Sequence, residues 1–473
     1  MEKCKAGLAM LNADWFNQIG LTSTENEDSN ICRMAAQNAM QVVETLSNVF
    51  KLVHTEVIST AEQARDACRA YRQAEVDVII LTSILYSGDE PIVEILQTMS
   101  GTPILLWSFH PDTKLEQVST IARYFRVTGA AGMLQGCAPI FRFGVRPGFV
   151  FGAPGSDQLI QELEDHAAVY QTISALRRLK IGIIGRRYFS MTGAWTDEFR
   201  LKKELGPELV WISAMECAAE AEKLDEAQVR SFVDSQTKQY KTVDLTSEAI
   251  NAAARASMAV DALSLKYGCQ AMAVQDMDEE LHTLLGVRPQ MSFPPLFDRG
   301  VVVGMEGDVT STLCVWMLQS LTGVPAMYGE VFTYSEADDF LVMGHASMHN
   351  LSFSGEHEIT LVQDGEFNQQ DRFSGVWNEF ICKPGEVTLV CLFEENNGYH
   401  FLTCRGESLD SPKWIPGNVH ALIRPKVPVR TFLERAVERG TTQHFAICYG
   451  DAVRRVRLLA KELRIPCFDL EEQ

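Results

Sequence analysis

Three side chains that can bind a metal stand at the ends of successive apolar stretches in one segment of the sequence. The run VVVGM ends in Glu306, GVPAMYG ends in Glu330, and DDFLVMG ends in His345. Side chains at the carboxyl ends of strands in α/β proteins face a crevice, so these three groups can point to one place. Two carboxylates and an imidazole suit a divalent cation such as Mn²⁺, Co²⁺, Fe²⁺ or Zn²⁺. The pattern therefore predicts a metal site.

Each of these residues also has an ordinary structural interpretation. A glutamate at a strand end is usually solvated or caps a helix, and Asp308 or Thr310 is expected to cap the helix that follows. His345 and His349 are four residues apart, which places them on one face of a helix. Gly344 and the apolar strand before it argue against a helix there, so we predict no H-x-x-x-H zinc site. Spacing alone leaves the metal-binding and the structural interpretations open.

Other catalytic motifs have little support in the sequence. Gly182 and Gly185 follow an apolar strand in KIGIIGRR, but neither a G-x-G-x-x-G series nor a Walker lysine is present. A tight turn after a parallel strand is the simpler interpretation. No G-x-S-x-G elbow occurs, and nothing else in the sequence points to a serine triad, which is defined by geometry. Nucleotide binding and serine hydrolysis are therefore not predicted.

Composition restricts the class of protein and its partners. The chain has 473 residues, of which 46% are hydrophobic and 22% charged, as in a folded soluble protein of two or three domains. Its formal net charge is −20 and its pI about 5.0, the wrong sign for binding nucleic acid or an anionic membrane surface. Neither is predicted as a partner.

The compartment can be inferred from the cysteines and the apolar runs. Twelve cysteines are scattered without a C-x-x-C pair, which favours buried, reduced thiols over a disulfide framework or a zinc site. The first residues do not resemble a signal peptide, and the most apolar run, which starts at Val76, is too short to cross a bilayer. We therefore expect a cytoplasmic protein.

The elements that must position the candidate residues form two α/β domains and a β-rich domain. Continuous apolar strands such as VDVIILTS and TPILLWSF alternate with helical stretches, as in parallel sheets buried on both faces. A boundary near the run GAPGS separates residues 1–155 from a second α/β domain, residues 156–300. Residues 301–473 carry the metal-site segment and then short strands with hairpin signals such as Asn396-Asn397-Gly398. The predicted fold is two open Rossmann-like α/β domains followed by an antiparallel, barrel-like C-terminal domain.

The order of these motifs resembles the L-fucose isomerase and L-arabinose isomerase superfamily. The stretches that carry the resemblance are E-G-D, LTGVPAMYGE, MGHASMHN and a late histidine in TTQHFAICYGD. The resemblance implies that Glu306, Glu330, His345 and His444 bind one Mn²⁺, with Glu330 placed as in the arabinose type. The chain departs from the family in having Gln443 before His444, where a second histidine is common, and in its N-terminal motifs. The family also implies a homo-oligomer, a trimer or a hexamer.

The reaction implied by the resemblance is aldose–ketose isomerisation of a pentose or 6-deoxyhexose through a cis-enediol. A proton alpha to a carbonyl is very weakly acidic, so negative charge on the sugar oxygens must be stabilised as it forms, and a divalent cation does this as a Lewis acid. Two carboxylates then move protons, and Glu306 and Glu330 are the pair we predict as catalytic. His345 and His444 are predicted to act mainly as ligands.

Substrate contacts are predicted from position alone. Gln275 and Asp276 close the third strand of the middle domain and could reach the sugar hydroxyls, and Met191 lies in a loop after the first strand of that domain. Two alternatives stay open. One is a non-catalytic sugar-binding or regulatory protein, because two α/β domains beside a cleft also bind sugars. The other is a metal-dependent epimerase or lyase that acts on a related sugar through the same enolate chemistry.

Overall fold

The structure, a computed structural model, describes residues 3–16, 30–366 and 375–472. The chain divides into two compact units, Met1–Ser174 and Ala175–Gln473. The three domain ranges predicted from the sequence stay a prediction.

The first unit is built on a parallel sheet in the order β2–β1–β4–β5–β6, with β3 pairing beside β1. Its central strands are apolar and buried on both faces, as parallel strands covered by helices must be. The pattern T-A-E-Q is typical of a capping box with Ser59 or Thr60 as the N-cap, and helix α2 begins with one formed by Thr60 and Gln63. The strands are β1 (Cys4–Leu11), β2 (Phe50–Val53), β3 (Val57–Ile58), β4 (Val78–Ser83), β5 (Ile104–Phe109) and β6 (Gly148–Gly152). The helices are α1 (Ile31–Ser47), α2 (Ala61–Ala74), α3 (Glu90–Thr98), α4 (Ile121–Arg126), α5 (Gly129–Arg142) and α6 (Asp157–Leu176).

The second unit starts with a four-stranded parallel sheet in the order β11–β10–β7–β8. The loop after β11 carries Glu306, and helix α13 follows it. The strands are β7 (Lys180–Ile184), β8 (Glu208–Ile212), β10 (Ala271–Val274) and β11 (Val302–Gly304). The helices are α7 (Glu198–Glu204), α8 (Ala214–Lys223), α9 (Glu226–Gln239), α10 (Ser247–Tyr267), α11 (Glu279–Leu285), α12 (Pro294–Asp298) and α13 (Val309–Thr322).

A closed antiparallel barrel makes up most of the rest of the second unit. Six strands follow in the order β16–β19–β12–β13–β18–β17, and the β16–β17 hairpin closes the ring. Strand β20 adds to β17 in parallel, and buried aliphatic and aromatic side chains fill the core. The strands are β12 (Ala326–Ser335), β13 (Phe340–His345), β16 (Gly385–Glu395), β17 (Gly398–Ser408), β18 (Val419–Pro425), β19 (His444–Tyr449) and β20 (Cys467–Asp469). The predicted fold class, parallel-sheet α/β units followed by an antiparallel barrel, is confirmed.

The remaining elements flank the barrel. A small three-stranded sheet has the order β15–β14–β9. Its strands are β9 (Lys241–Thr242), β14 (Thr360–Gln363) and β15 (Val376–Glu379), and the last helices are α14 (Val429–Arg439) and α15 (Val453–Leu463). Within the described ranges, each helix is too short or too polar to span a bilayer.

Candidate metal centre

Glu306, His345 and His444 converge at one point of the second unit. One ligand atom from each residue lies within 4.8 Å of the other two. The Nε2 atom of His444 is 3.1 Å from Oε2 of Glu306, and Nε2 of His345 is 3.8 Å from Oε1 of the same carboxylate. Both imidazoles are buried, and Glu306 is partly buried.

The barrel positions the two histidines. His345 is the last residue of β13 and pairs with Val419, and His444 is the first residue of β19 and pairs with Glu330 of β12. The ring of Tyr328, also on β12, lies 5.0 Å from the His345 ring and 4.8 Å from the His444 ring. Gly344 permits close packing beside His345, because a Cβ there would lie 1.9 Å from the Val419 carbonyl oxygen.

Glu306 is held in a strained loop at the carboxyl edge of the parallel sheet. Its φ is +60°, a left-handed conformation that is uncommon outside glycine and costs about 1–3 kcal/mol. The backbone N–H of Glu306 donates to Oδ1 of Asp276 (2.9 Å), and its carbonyl accepts from Nε2 of Gln275 (2.9 Å). These two bonds from the end of β10 fix the loop that carries the carboxylate.

Hydrogen bonds also orient both imidazoles. Nδ1 of His444 lies 2.8 Å from Oδ2 of Asp308, and Oδ1 of that carboxylate caps α13 by accepting from the Ser311 N–H. Nδ1 of His345 lies 3.3 Å from the Ala346 carbonyl, to which it can only donate. In both rings Nε2 is therefore the atom that faces Glu306. A carboxylate or carbonyl on the far nitrogen is the usual way to orient a metal-binding histidine.

The residues present fit a divalent cation. Oε2 of Glu306, Nε2 of His345 and Nε2 of His444 are buried, yet none makes a hydrogen bond of regular geometry with a described residue, although His444 and Glu306 face each other at 3.1 Å. Buried polar atoms almost always make such bonds, so three that face one point without one call for a common partner. One carboxylate and two imidazoles are a usual ligand set for such an ion.

Electrostatics set the two histidines apart. Burial, with the charge of His444 beside it, lowers the pKa of His345 to about 3. Burial also lowers the pKa of His444, but the hydrogen bond to Asp308, the close contact with Glu306 and the charges of both carboxylates outweigh it and raise that pKa to about 10. Without a metal, His345 is thus neutral at pH 7 and His444 carries a proton that a cation would have to displace.

Glu330 stands beside this group and is not one of the three converging residues. It lies in the middle of β12, followed by a bulge between Val331 and Thr333, whereas the sequence placed it at a strand end. Burial is the main reason that its pKa is raised to about 7, and the Glu306 carboxylate raises it further while His444 lowers it. The carboxyl is therefore close to half-protonated at neutral pH.

The three predicted substrate contacts occupy different places. Gln275 and Asp276 are buried beneath the Glu306 loop, and Asp276 also accepts from Nε2 of Gln290 (3.0 Å). Met191 lines a small cavity that Glu306 lines too. Met191 is thus the one of the three that shares a cavity with the metal centre.

Sequence reasoning missed the support around these residues. Asp308 was predicted only as a helix cap, although the E-G-D motif places it two residues from Glu306. Arg288 is fully buried, and its guanidinium lies 2.8 Å from both Asp364 and Glu366 and 3.6 Å from Asp276. No local sequence pattern around Arg288 predicts these contacts, because Asp364 and Glu366 lie far from it in the sequence.

Comparison with known proteins places the chain beside isomerases. No family model matches the sequence. A sulfoquinovose isomerase of Alkalicoccus urumqiensis is 23% identical over 397 residues, which is 84% of this chain and 86% of that protein. A sulfoquinovose isomerase of Priestia aryabhattai is 22% identical over 87% of this chain and 89% of its own. Another, from a Clostridium species, is 28% identical over 36% of this chain and 37% of its own. The isomerase part of the predicted resemblance is thus supported by relatives that match more than four fifths of the chain.

Proposed function

We propose that this protein is a metal-dependent aldose–ketose isomerase that interconverts an open-chain aldose and its ketose through a cis-enediol. The observation that carries the proposal is the set of three buried ligand atoms without a regular hydrogen bond, on Glu306, His345 and His444, beside a carboxyl group whose pKa is raised to about 7. A binding module has no need of such an acid–base group next to a cation site.

Glu306, Glu330, His345 and His444 are the proposed ligands of the divalent cation, for which we propose Mn²⁺. When bound, the cation supplies positive charge that stabilises the developing negative charge on the sugar oxygens. Asp308 is hydrogen-bonded to Nδ1 of His444, so Nε2 of the same ring points toward the metal centre. The buried histidines and Tyr328 keep water away from this side of the site, which strengthens each charge interaction.

Glu330 and Glu306 are the proposed acid–base pair. A carboxyl with a pKa of about 7 can both accept and donate a proton at neutral pH, as transfer between C1 and C2 requires. Glu306 shares the site and raises the pKa of Glu330, because two nearby carboxylates resist double ionisation. Burial of Glu330 makes the larger contribution.

The proposed substrate is a pentose or 6-deoxyhexose, and the relatives' name directs attention to sulfoquinovose, a 6-deoxyhexose with a sulfonate on C6. Met191 is proposed to contact the sugar from the shared cavity, with Gln275 and Asp276 as further proposed contacts. A homo-oligomer, trimer or hexamer, is part of the proposal.

The test is exchange of the C2 proton. We expect the protein with Mn²⁺ to form ketose from at least one aldose of a pentose and 6-deoxyhexose panel that includes sulfoquinovose, and to exchange C2–H in deuterium oxide. The Glu330→Gln variant should lose exchange by about 100-fold or more, since general acid–base catalysis contributes 10²–10⁴-fold. Glu336→Gln, the same change at an exposed position six residues further along, should keep it.

Two outcomes would contradict the proposal. Undiminished exchange by Glu330→Gln would remove Glu330 from the acid–base pair. Tight binding of metal and sugar with no exchange for any aldose would instead favour the non-catalytic sugar-binding alternative.

A further inference from the structure

Two arginines and two glutamates line the cavity beside Glu306. Besides Glu306 and Gly307, its lining includes Arg186, Arg187, Glu198 and Trp195, and the two arginines lie in the loop after β7 together with Met191. A sugar that reaches the metal centre through this cavity would therefore pass a guanidinium group.

Two adjacent arginines of this loop, Arg186 and Arg187, differ in whether nearby carboxylates neutralise their charge. Arg186 is neutralised, because its guanidinium lies 3.1 Å from Asp278 and 3.6 Å from Glu280. Arg187 donates one hydrogen bond, from Nη2 to the Thr196 carbonyl (3.3 Å), and its nearest carboxylate, Glu198, lies at 4.0 Å, beyond hydrogen-bond distance. Arginine offers five N–H donors, so most of those on Arg187 remain available to a ligand.

Contacts within the loop hold the Arg187 side chain in place. Its guanidinium lies over the Trp195 ring at 5.7 Å, and the indole N–H of Trp195 donates to the Tyr188 carbonyl (3.0 Å). The residue that accepts from Arg187, Thr196, shares a buried 2.8 Å hydrogen bond with Thr310 in the first turn of α13. Thr310 is two residues from Asp308, so the loop is anchored next to the metal centre.

We propose that Arg187 binds an anionic group on C6 of the sugar while the carbonyl end lies at the metal centre. This inference rests on the proposed function and deepens it by naming the residue that selects the substrate. A guanidinium matches the oxygens of a sulfonate or phosphate with two parallel hydrogen bonds, and the half-exposed Arg187 side chain is open to such a group. Glu198 is half-exposed and too far from Arg187 to occupy its donors.

The test compares sugars that differ only at C6. Calorimetry on the Mn²⁺-loaded protein should show that sulfoquinovose (6-deoxy-6-sulfoglucose) binds more tightly than neutral 6-deoxyglucose, by about 10-fold or more at low salt. Added salt should reduce this difference in affinity. Glucose 6-phosphate, compared with glucose, separates a sulfonate-specific site from a general anion site. The Arg187→Gln variant should lose the preference for the charged sugar and bind neutral 6-deoxyglucose as the wild type does.

Arg186→Gln is the matched control, because it removes the neighbouring charge that Asp278 and Glu280 already neutralise. It should leave the preference within about threefold of the wild-type value, since exposed ion pairs contribute little. Equal wild-type binding of charged and neutral sugars, or an unchanged preference in Arg187→Gln, would overturn the inference.

Catalysis is measured separately, so the two proposals can fail independently. In Arg187→Gln we expect KM for the sulfonated sugar to rise at least 10-fold and to approach KM for neutral 6-deoxyglucose. Absence of exchange with every sugar would sink the isomerase proposal, and the binding comparison would still decide the role of Arg187.

Discussion

Glu306 and the two histidines reach the same point by different means. His345 and His444 occupy strand positions of a closed barrel, where the pairing of β13 with β18 and of β19 with β12 fixes the direction of each side chain. Glu306 sits in a left-handed loop after a three-residue strand and is held by single hydrogen bonds from Gln275 and to Asp276. The barrel side of the metal centre is thus built by the fold, and the loop side by individual side chains.

This difference determines how each side should respond to substitution. A barrel strand cannot shift by one residue without turning its side chains to the other face, so barrel variants should change metal binding and stability together. The loop stores strain that its hydrogen bonds offset, so loop variants should weaken the metal site at a small cost to the fold.

Loss of a barrel ligand should have the largest effect. We expect His444→Gln to weaken Mn²⁺ binding by more than about 100-fold, because even the partners of ligands contribute 10–100-fold. Isothermal calorimetry measures this directly. His400→Gln is the control, since His400 is a buried barrel histidine stacked between Phe393 and Phe468. Equal affinities of the two variants would remove His444 from the site.

A change in the barrel backbone should come next. In Gly344→Ala the new Cβ meets the Val419 carbonyl at 1.9 Å, so β13 and β18 must separate beside His345. We expect the free energy of unfolding in urea to fall by about 1–3 kcal/mol, the usual cost of overpacking, and Mn²⁺ affinity to fall with it. Gly365→Ala, where the added Cβ has open space, should change neither quantity. A Gly344→Ala variant as stable as the wild type would show that the barrel side is adjustable after all.

The loop side is tested by a matched pair of glutamines. Gln275 donates to the carbonyl of Glu306, which follows β11. Gln319 donates to the carbonyl of Gly300, which precedes β11. Each glutamine also accepts a backbone N–H through Oε1, so both alanine variants lose two hydrogen bonds, at about 1 kcal/mol of stability each. Only Gln275→Ala should weaken Mn²⁺ binding, by about 10-fold. Similar metal affinities of both variants would mean that the Glu306 loop needs no support from Gln275.

The smallest expected effect comes from the different protonation states of the two histidines. At pH 8 the pKa of about 3 for His345 leaves it neutral, whereas the pKa of about 10 for His444 leaves it protonated. Mn²⁺ binding should therefore release about one proton, seen as a dependence of the calorimetric heat on the buffer's ionisation enthalpy. Release of no proton would contradict the protonated state of His444.

The raised pKa of His444 also predicts how the stability of the metal-free protein changes with pH. The pKa of His444 in the folded, metal-free protein lies above its unfolded value of about 6.5. The stabilisation from its ion pairs is therefore fully present below pH 6.5 and is lost as the pH rises toward 10. In Asp308→Asn, which removes one of the two carboxylates, the folded pKa of His444 falls, so this loss should be smaller and complete at a lower pH.

Local signals in the sequence predicted local structure well. The Thr60 capping box begins α2, Asp308 caps α13, and the Asn396–Asn397 turn joins β16 to β17. Each of these features depends on residues within a few positions of one another. The polar residues after apolar runs also pointed to Glu306 and His345, because each follows a run of buried apolar strand residues.

Long-range contacts could not be predicted in the same way. The second oxygen of Asp308 contacts His444, 136 residues away, and Arg288 contacts Asp364, 76 residues away. Glu330 was expected at a strand end, but β12 continues through it because β13 pairs with the polar residues that follow. Pairing across the barrel decides these positions, and no periodicity within one segment encodes it.

The most direct test of the account is a crystal structure of the Mn²⁺-loaded protein with anomalous diffraction at the manganese edge. We predict one anomalous peak bonded to the carboxylates of Glu306 and Glu330 and to Nε2 of His345 and His444, at about 2.0–2.2 Å, with Nδ1 of His444 still on Asp308. An anomalous peak elsewhere, with the ligand atoms of Glu306, His345 and His444 hydrogen-bonded to one another or to water, would contradict the proposed metal centre.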